Sequence, residues 1–316
     1  MSQARGLASA SPCHFRRARL HFLPMSDALQ TLLDPAHAEM SVGVQVAIMA
    51  ICLPTLLLGL LGIRRLVGRL GSFGGAISTE NFLLGIPLAL AALMLADLVL
   101  IISIGSAYSQ NRTQYALAYG TLQLTTTLAC LALLSRHPWE GRVAAPRPFV
   151  RLQARQLAGT SLTWLLGVPL IVAAMLLGVA AARAAGLPIE RQYVLTNLTS
   201  DPTPASIAGA YMMAVVGVPL AEEFAFRLVL FGGLRGLLAG RDNHRAGVAL
   251  AYGLSIAIFV GAHGLWQPEQ LYLALPLLTL SIMLTWVYDA TKSIWPSTLF
   301  HMLHNGLVLT LQFSLA

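Results

Sequence analysis

Residues 207–234 read IAGAYMMAVVGVPLAEEFAFRLVLFGGL. The run is long and apolar enough to cross a bilayer, which takes about 17–25 residues. It nevertheless carries Glu222, Glu223 and Arg227 in its interior, and the next apolar run ends on His263. A charged side chain at bilayer depth costs roughly 3 kcal/mol or more unless it is paired or lines a wet cavity. Adjacent carboxylates are worse still, because like charges that close do not both ionise cheaply. The plain alternative is an ion pair that fixes helix register, since Glu223 and Arg227 stand i, i+4 in the favourable Glu-first order. Intramembrane charge reads by default as a functional site.

The rest of the chain fits the same setting. Its 316 residues are 56% hydrophobic and only 10% charged, with a mean hydropathy of +0.70, whereas soluble domains carry about 25% charged residues. This excludes an ordinary soluble enzyme and predicts an all-α fold, a polytopic transmembrane helical bundle. Candidate spans fall at 43–63, 82–106, 115–134, 158–182, 207–234, 246–263, 270–289 and 297–314, giving eight transmembrane helices. Lys and Arg number 20 against 13 Asp and Glu, but the excess lies in alternate loops. Arg64, Arg65 and Arg69 follow the first span, Arg142, Arg147 and Arg151 the third, Arg241 and Arg245 the fifth, and Lys292 the seventh. That pattern places those loops in the cytoplasm and accounts for the charge without a nucleic-acid partner. Lys292 is the sole lysine, and so strong an arginine bias suggests a bacterial plasma membrane. Cys13, Cys52 and Cys130 show no paired spacing, so neither a disulfide framework nor a thiolate metal site is indicated.

Three parts follow. Residues 1–42 form an N-terminal extension, read as a targeting segment or as sequence upstream of a true start at Met25. Residues 43–156 hold three accessory spans, with Asp97 as their lone intramembrane acid. Residues 157–316 hold a helical core with the polar cluster, its motifs falling within 206–310.

Three patterns carry the chemistry: EExxxR at Glu222, Glu223 and Arg227; FxxxH at Phe259 and His263; and HxxxN at His301 and Asn305. Residues four apart share a helix face. Glu222 is turned about 100° from Glu223 and can therefore address a different partner. Glu222 and His263 stand equally far from Asp242–Asn243, so an antiparallel hairpin brings them level. A carboxylate beside an imidazole has the equipment of a general base. His301 and Asn305 offer N–H donors on one face, either for an oxyanion or as plain interhelical hydrogen bonds. His304 reads as structural. Taken as straight rods, however, His301 lies a turn or two past the loop before it, whereas Glu222 lies about 30 Å from its own loop. A kink at Pro219 or a tilt is needed to bring them together.

In this order on successive apolar segments, EExxxR, FxxxH and HxxxN resemble the CPBP family of CaaX proteases and bacteriocin-processing enzymes, the Abi-type intramembrane glutamic endopeptidases. The resemblance implies that Glu222 with His263 activates water and that His301 and Asn305 form the oxyanion site. It also implies that Glu223 and Arg227, with Phe259, support the first motif. No cofactor is expected. The alternative is Zn²⁺ on Glu222, His263 and His301, because three such ligands plus water suit that ion. The partners implied are a peptide or membrane-protein substrate and the lipid bilayer. Two other classes compete: a non-catalytic membrane immunity or assembly factor that keeps the motif for structure, and a proton-coupled transporter using Asp97, Glu222 and Glu223.

Overall fold

The computed structural model describes residues 77–105, 115–136, 154–190, 203–238, 244–263 and 267–315. The predicted extension at 1–42, the span at 43–63 and most of the cation-rich loop residues lie outside them. Every regular element among the described residues is helical, as composition predicts. Three long helices come first: α1 (Thr79–Ile104), α2 (Ala116–Arg136) and α3 (Ala154–Ala184). The Ser78 hydroxyl caps α1 by accepting from the Asn81 N–H at 3.2 Å, and Gly105 ends it at φ 64°. There a residue without Cβ adopts the left-handed region at little cost.

Along α1 the buried positions are Asn81, Gly85, Ala89, Ala92, Ala96 and Leu100, while Leu83, Met94 and Ile102 stand exposed. Small residues inward and large apolar ones outward is the arrangement expected against lipid, where close helix approach drives packing. The same logic sets the crossing of the second helix. Gly120 on α2 and Gly217 meet backbone to backbone, so a Cβ on Gly217 would stand 2.7 Å from the Gly120 carbonyl oxygen.

Residues 204–238 do not form one straight rod. They run as α4 (Pro204–Ala210), a π-helical segment π1 (Tyr211–Gly217), α5 (Val218–Glu222), a second segment π2 (Glu223–Phe231) and α6 (Gly232–Leu238). π-turns are rare and gather at functional sites. Then come α7 (His244–Ala262), a 3-10 turn at Pro268–Leu273, α8 (Ala274–Thr291) and α9 (Ile294–Leu315).

By length and hydropathy, five of the described helices can cross a membrane: Thr79–Ile104, Ala116–Ser135, Gln156–Ala184, Arg245–Ala262 and Pro268–Thr291. The predicted spans at 207–234 and 297–314 do not qualify. The first is broken into short pieces, and the second is diluted by His301, His304, Asn305 and Gln312. These are the two segments that carry Glu222 and His301. The largest apolar core surrounds π2, with Phe224, Leu228 and Phe231 packed among Leu131, Leu134, Phe259 and Tyr288.

Candidate active site

Pro219 decides how the first motif is presented. The Val218 N–H bonds to the Met213 carbonyl five residues back, which is the π-helical pattern. Pro219 is next and has no N–H, so the Ala214 carbonyl loses the donor that the pattern would supply. Asn305 on α9 replaces it, donating from Nδ2 at 2.9 Å. The sequence leaves Asn305 open between an interhelical hydrogen bond and the oxyanion role that the family resemblance implies. The structure gives one of its two amide hydrogens to this carbonyl, which ties α9 to π1.

The depth mismatch foreseen between Glu222 and His301 does not exist. Glu222 Oε2 lies 3.7 Å from His301 Nε2 and 3.8 Å from His263 Nε2. The straight-rod estimate measured each residue from its own loop, but Arg235, seven residues before Asp242, already meets the Asp289 carboxylate that Lys292 also pairs, so the two loops are not level. His263 sits just past the end of α7. Its Nδ1 lies 2.7 Å from the Phe259 carbonyl oxygen. A carbonyl only accepts, so this nitrogen carries the proton. His301 Nδ1 likewise donates to Glu223 Oε1 at 3.0 Å. In their neutral forms both imidazoles therefore turn an Nε2 lone pair toward the Glu222 carboxylate. Three acceptors facing one another lack a proton source, and separations beyond 3.5 Å are the kind a water bridges from the side. Exposure grades across the group: the side chain of His263 is 23% exposed, Glu222 15% and His301 3%. An opening on the His263 side and a floor at His301 result.

Below that floor lie Glu223 and Arg227, both fully buried. Arg227 Nε stands 3.5 Å from Glu223 Oε2 as an ion pair, and Nη2 donates to Ser281 on α8 at 3.5 Å. The guanidinium covers the Phe259 ring, with Cζ 4.4 Å from its centroid. Charges this deep persist only when paired and hydrogen-bonded, and a desolvated cation over a ring gains up to about 2 kcal/mol. Phe259 is the hub of this layer. Its ring lies 4.3 Å from that of His263 and 6.3 Å, edge to face, from that of His301. Ser281 was missed from sequence because a serine in an apolar span carries no signal by itself. His304 points its Nδ1 into the interior without a partner, and Asp97 lies half-buried on α1.

No group of three His, Cys, Asp or Glu among the described residues is arranged to hold a metal ion. What the arrangement can do is hold a water against a carboxylate and two imidazoles, beside a buried charge layer that fixes one of them.

Residues 204–307 match the family model described as Type II CAAX prenyl endopeptidase Rce1-like. This segment contains all three motifs. No curated protein and no solved structure matches the chain.

Proposed function

We propose that this chain, Rce1-like over the segment that bears Glu222, His263 and His301, uses those residues to hydrolyse a peptide bond near or within the bilayer. The coarser reading, a membrane endopeptidase, rests on the family match and the apolar helices. The finer one rests on a single observation: Glu222 Oε2 faces two Nε2 atoms whose rings are already fixed through Nδ1.

In this reading Glu222 takes a proton from the trapped water while the water oxygen bonds to the scissile carbonyl carbon. The carbonyl electron pair moves onto oxygen. His263, at the open edge, orients the water and shares its proton. His301 and Asn305 receive the oxyanion, Asn305 through the amide hydrogen not given to Ala214. His301 does so as an imidazolium, protonated at Nε2 from solvent before the step and keeping that proton through it, its charge balanced by Glu223 from below. When the C–N bond breaks, the proton held on Glu222 passes to the leaving amine, and the carboxylate is restored. Donors placed ahead of reaction contribute about 2.7–4 kcal/mol each to such a transition state. The substrates this reading admits are a prenylated C-terminal tail, a bacteriocin leader or the tail of a membrane protein, cut in the bacterial plasma membrane.

The test is cleavage of a panel of these peptides by the purified chain in lipid nanodiscs, wild type against Glu222→Gln. Wild type should cut at least one peptide at a defined bond and Glu222→Gln none. Equal cleavage by both would remove Glu222 from the reaction. A Glu222→Gln strain with normal physiology would favour the immunity or assembly role instead.

A further inference from the structure

Asp289 lies outside the three motifs, at the end of α8, and is 4% exposed. Its carboxylate receives donors from three separate parts of the chain. Arg235 on α6, 1% exposed, pairs with Oδ1 through Nη1. Tyr252 on α7 donates its hydroxyl to Oδ2 at 3.0 Å. Lys292 places Nζ 2.7 Å from Oδ1 at the turn where α8 gives way to α9, with φ at 57°. Phe231 frames the group, edge to face with Tyr252 at 4.8 Å and with Tyr288 at 6.0 Å.

Each donor belongs to a run that also carries a site residue. α6 continues π2, beside Glu222. α7 leads to His263. The turn at Lys292 starts the helix of His301. Along the chain the separations are 13 residues from Glu222 to Arg235, 11 from Tyr252 to His263 and 9 from Lys292 to His301. At the helical rise these correspond to roughly 14–20 Å, so Asp289 does not touch a reacting atom.

We propose that Asp289 is a positioning residue, a single carboxylate that sets the register of the three helices presenting Glu222, His263 and His301. The inference rests on the hydrolase reading for its catalytic consequence and on the geometry alone for the tie. Its physical basis is leverage. The site needs two imidazoles from two helices within 3.8 Å of one carboxylate oxygen carried by a third, and a misplacement of about 1 Å at a reacting centre costs on the order of 100-fold in rate. A node that joins those helices 9 to 13 residues from the site limits sliding and rotation of each against the others.

The experiment uses Asp289→Asn, which keeps the side-chain shape, and Tyr252→Phe, which removes one donor and leaves the ion pair. Two readouts are taken on the full chain in nanodiscs. The first is kcat and KM on a cleaved peptide. The second is the spin-label distance between Leu237→Cys on α6 and Ser314→Cys on α9, and between Leu254→Cys on α7 and Ser314→Cys, with the native cysteines replaced by alanine. Asp289→Asn should lower kcat by about 10- to 100-fold with KM within about twofold, and should broaden both distance distributions. Tyr252→Phe should do the same to a smaller degree, chiefly for the α7 pair. Unchanged distances, or unchanged kcat in a chain whose distances broaden, would overturn the proposal. Should the wild type cleave nothing, the hydrolase reading fails, and the distances alone decide whether Asp289 ties the helices.

Discussion

Glu223 and His301, 78 positions apart in the chain, share a hydrogen bond of 3.0 Å in which neither side chain is more than 3% exposed. The neighbouring Glu222 meets the other nitrogen of the same ring from a partly open position. Two adjacent glutamates thus flank one imidazole on opposite edges, Glu223 holding it from the charge layer and Glu222 facing it at the opening.

This asymmetry makes the two glutamates separable by mutation. Glu222→Gln keeps shape in a partly exposed place and should move the thermal midpoint by no more than a degree or two while abolishing cleavage. Glu223→Gln removes the charge opposite a fully buried Arg227, and breaking a buried pair from one side costs about 3–5 kcal/mol. Thermal unfolding in detergent should show the second variant strongly destabilised. Equal midpoints would mean that the ion pair contributes little.

Asn305→Ala should leave the Ala214 carbonyl without a donor, at a cost of about 1–3 kcal/mol. Pro219→Ala would return the missing N–H to the chain. In a double-mutant cycle, Pro219→Ala should therefore recover part of the stability lost in Asn305→Ala. Additive losses would show that the two residues do not share that carbonyl.

Phe259→Leu should affect both layers at once, because the ring lies under Arg227 and against His263. Loss of the cation–ring contact removes about 1–2 kcal/mol, and His263 loses the wall that fixes its plane. The expected outcome is reduced kcat together with a lower unfolding midpoint. A variant as active and stable as wild type would place the ring outside the working part of the site.

Treatment with a chelator separates water held by side chains from water held by a metal. With Glu222 as the base, cleavage should survive incubation with 1,10-phenanthroline and dialysis. Loss of activity that zinc restores would turn Glu222, His263 and His301 into ligands and require the step to be rewritten.

Much of this arrangement can be read from the chain, but unevenly. Counting residues from Asp242–Asn243 places Glu222 opposite His263 because loop-to-residue distance survives moderate bending of a hairpin. The same counting fails for His301, since it presumes that the two loops are level, while Arg235 on α6 already meets Asp289 beside Lys292 well before its own loop. Nothing in a linear reading reveals that Val218 bonds five residues back, so the open Ala214 carbonyl and its claim on Asn305 stay hidden. Hydropathy likewise places 207–234 and 297–314 among the spans, although π-turns in one and polar side chains in the other set both apart from the plain apolar helices. Asp289 gives no warning either. An acid shortly before a lysine at the end of an apolar run looks like an ordinary helix terminus.

The wide turns of Tyr211–Gly217 also bear on length. Removing one amino acid there would let the coil tighten to the ordinary α pitch, and the tighter turns would restore most of the rotation that the lost residue carried. Glu222 would then keep its bearing on both imidazoles. The surplus residue acts as a shim, so this segment absorbs a change of length that a plain α-helix, turning about 100° per residue, would not.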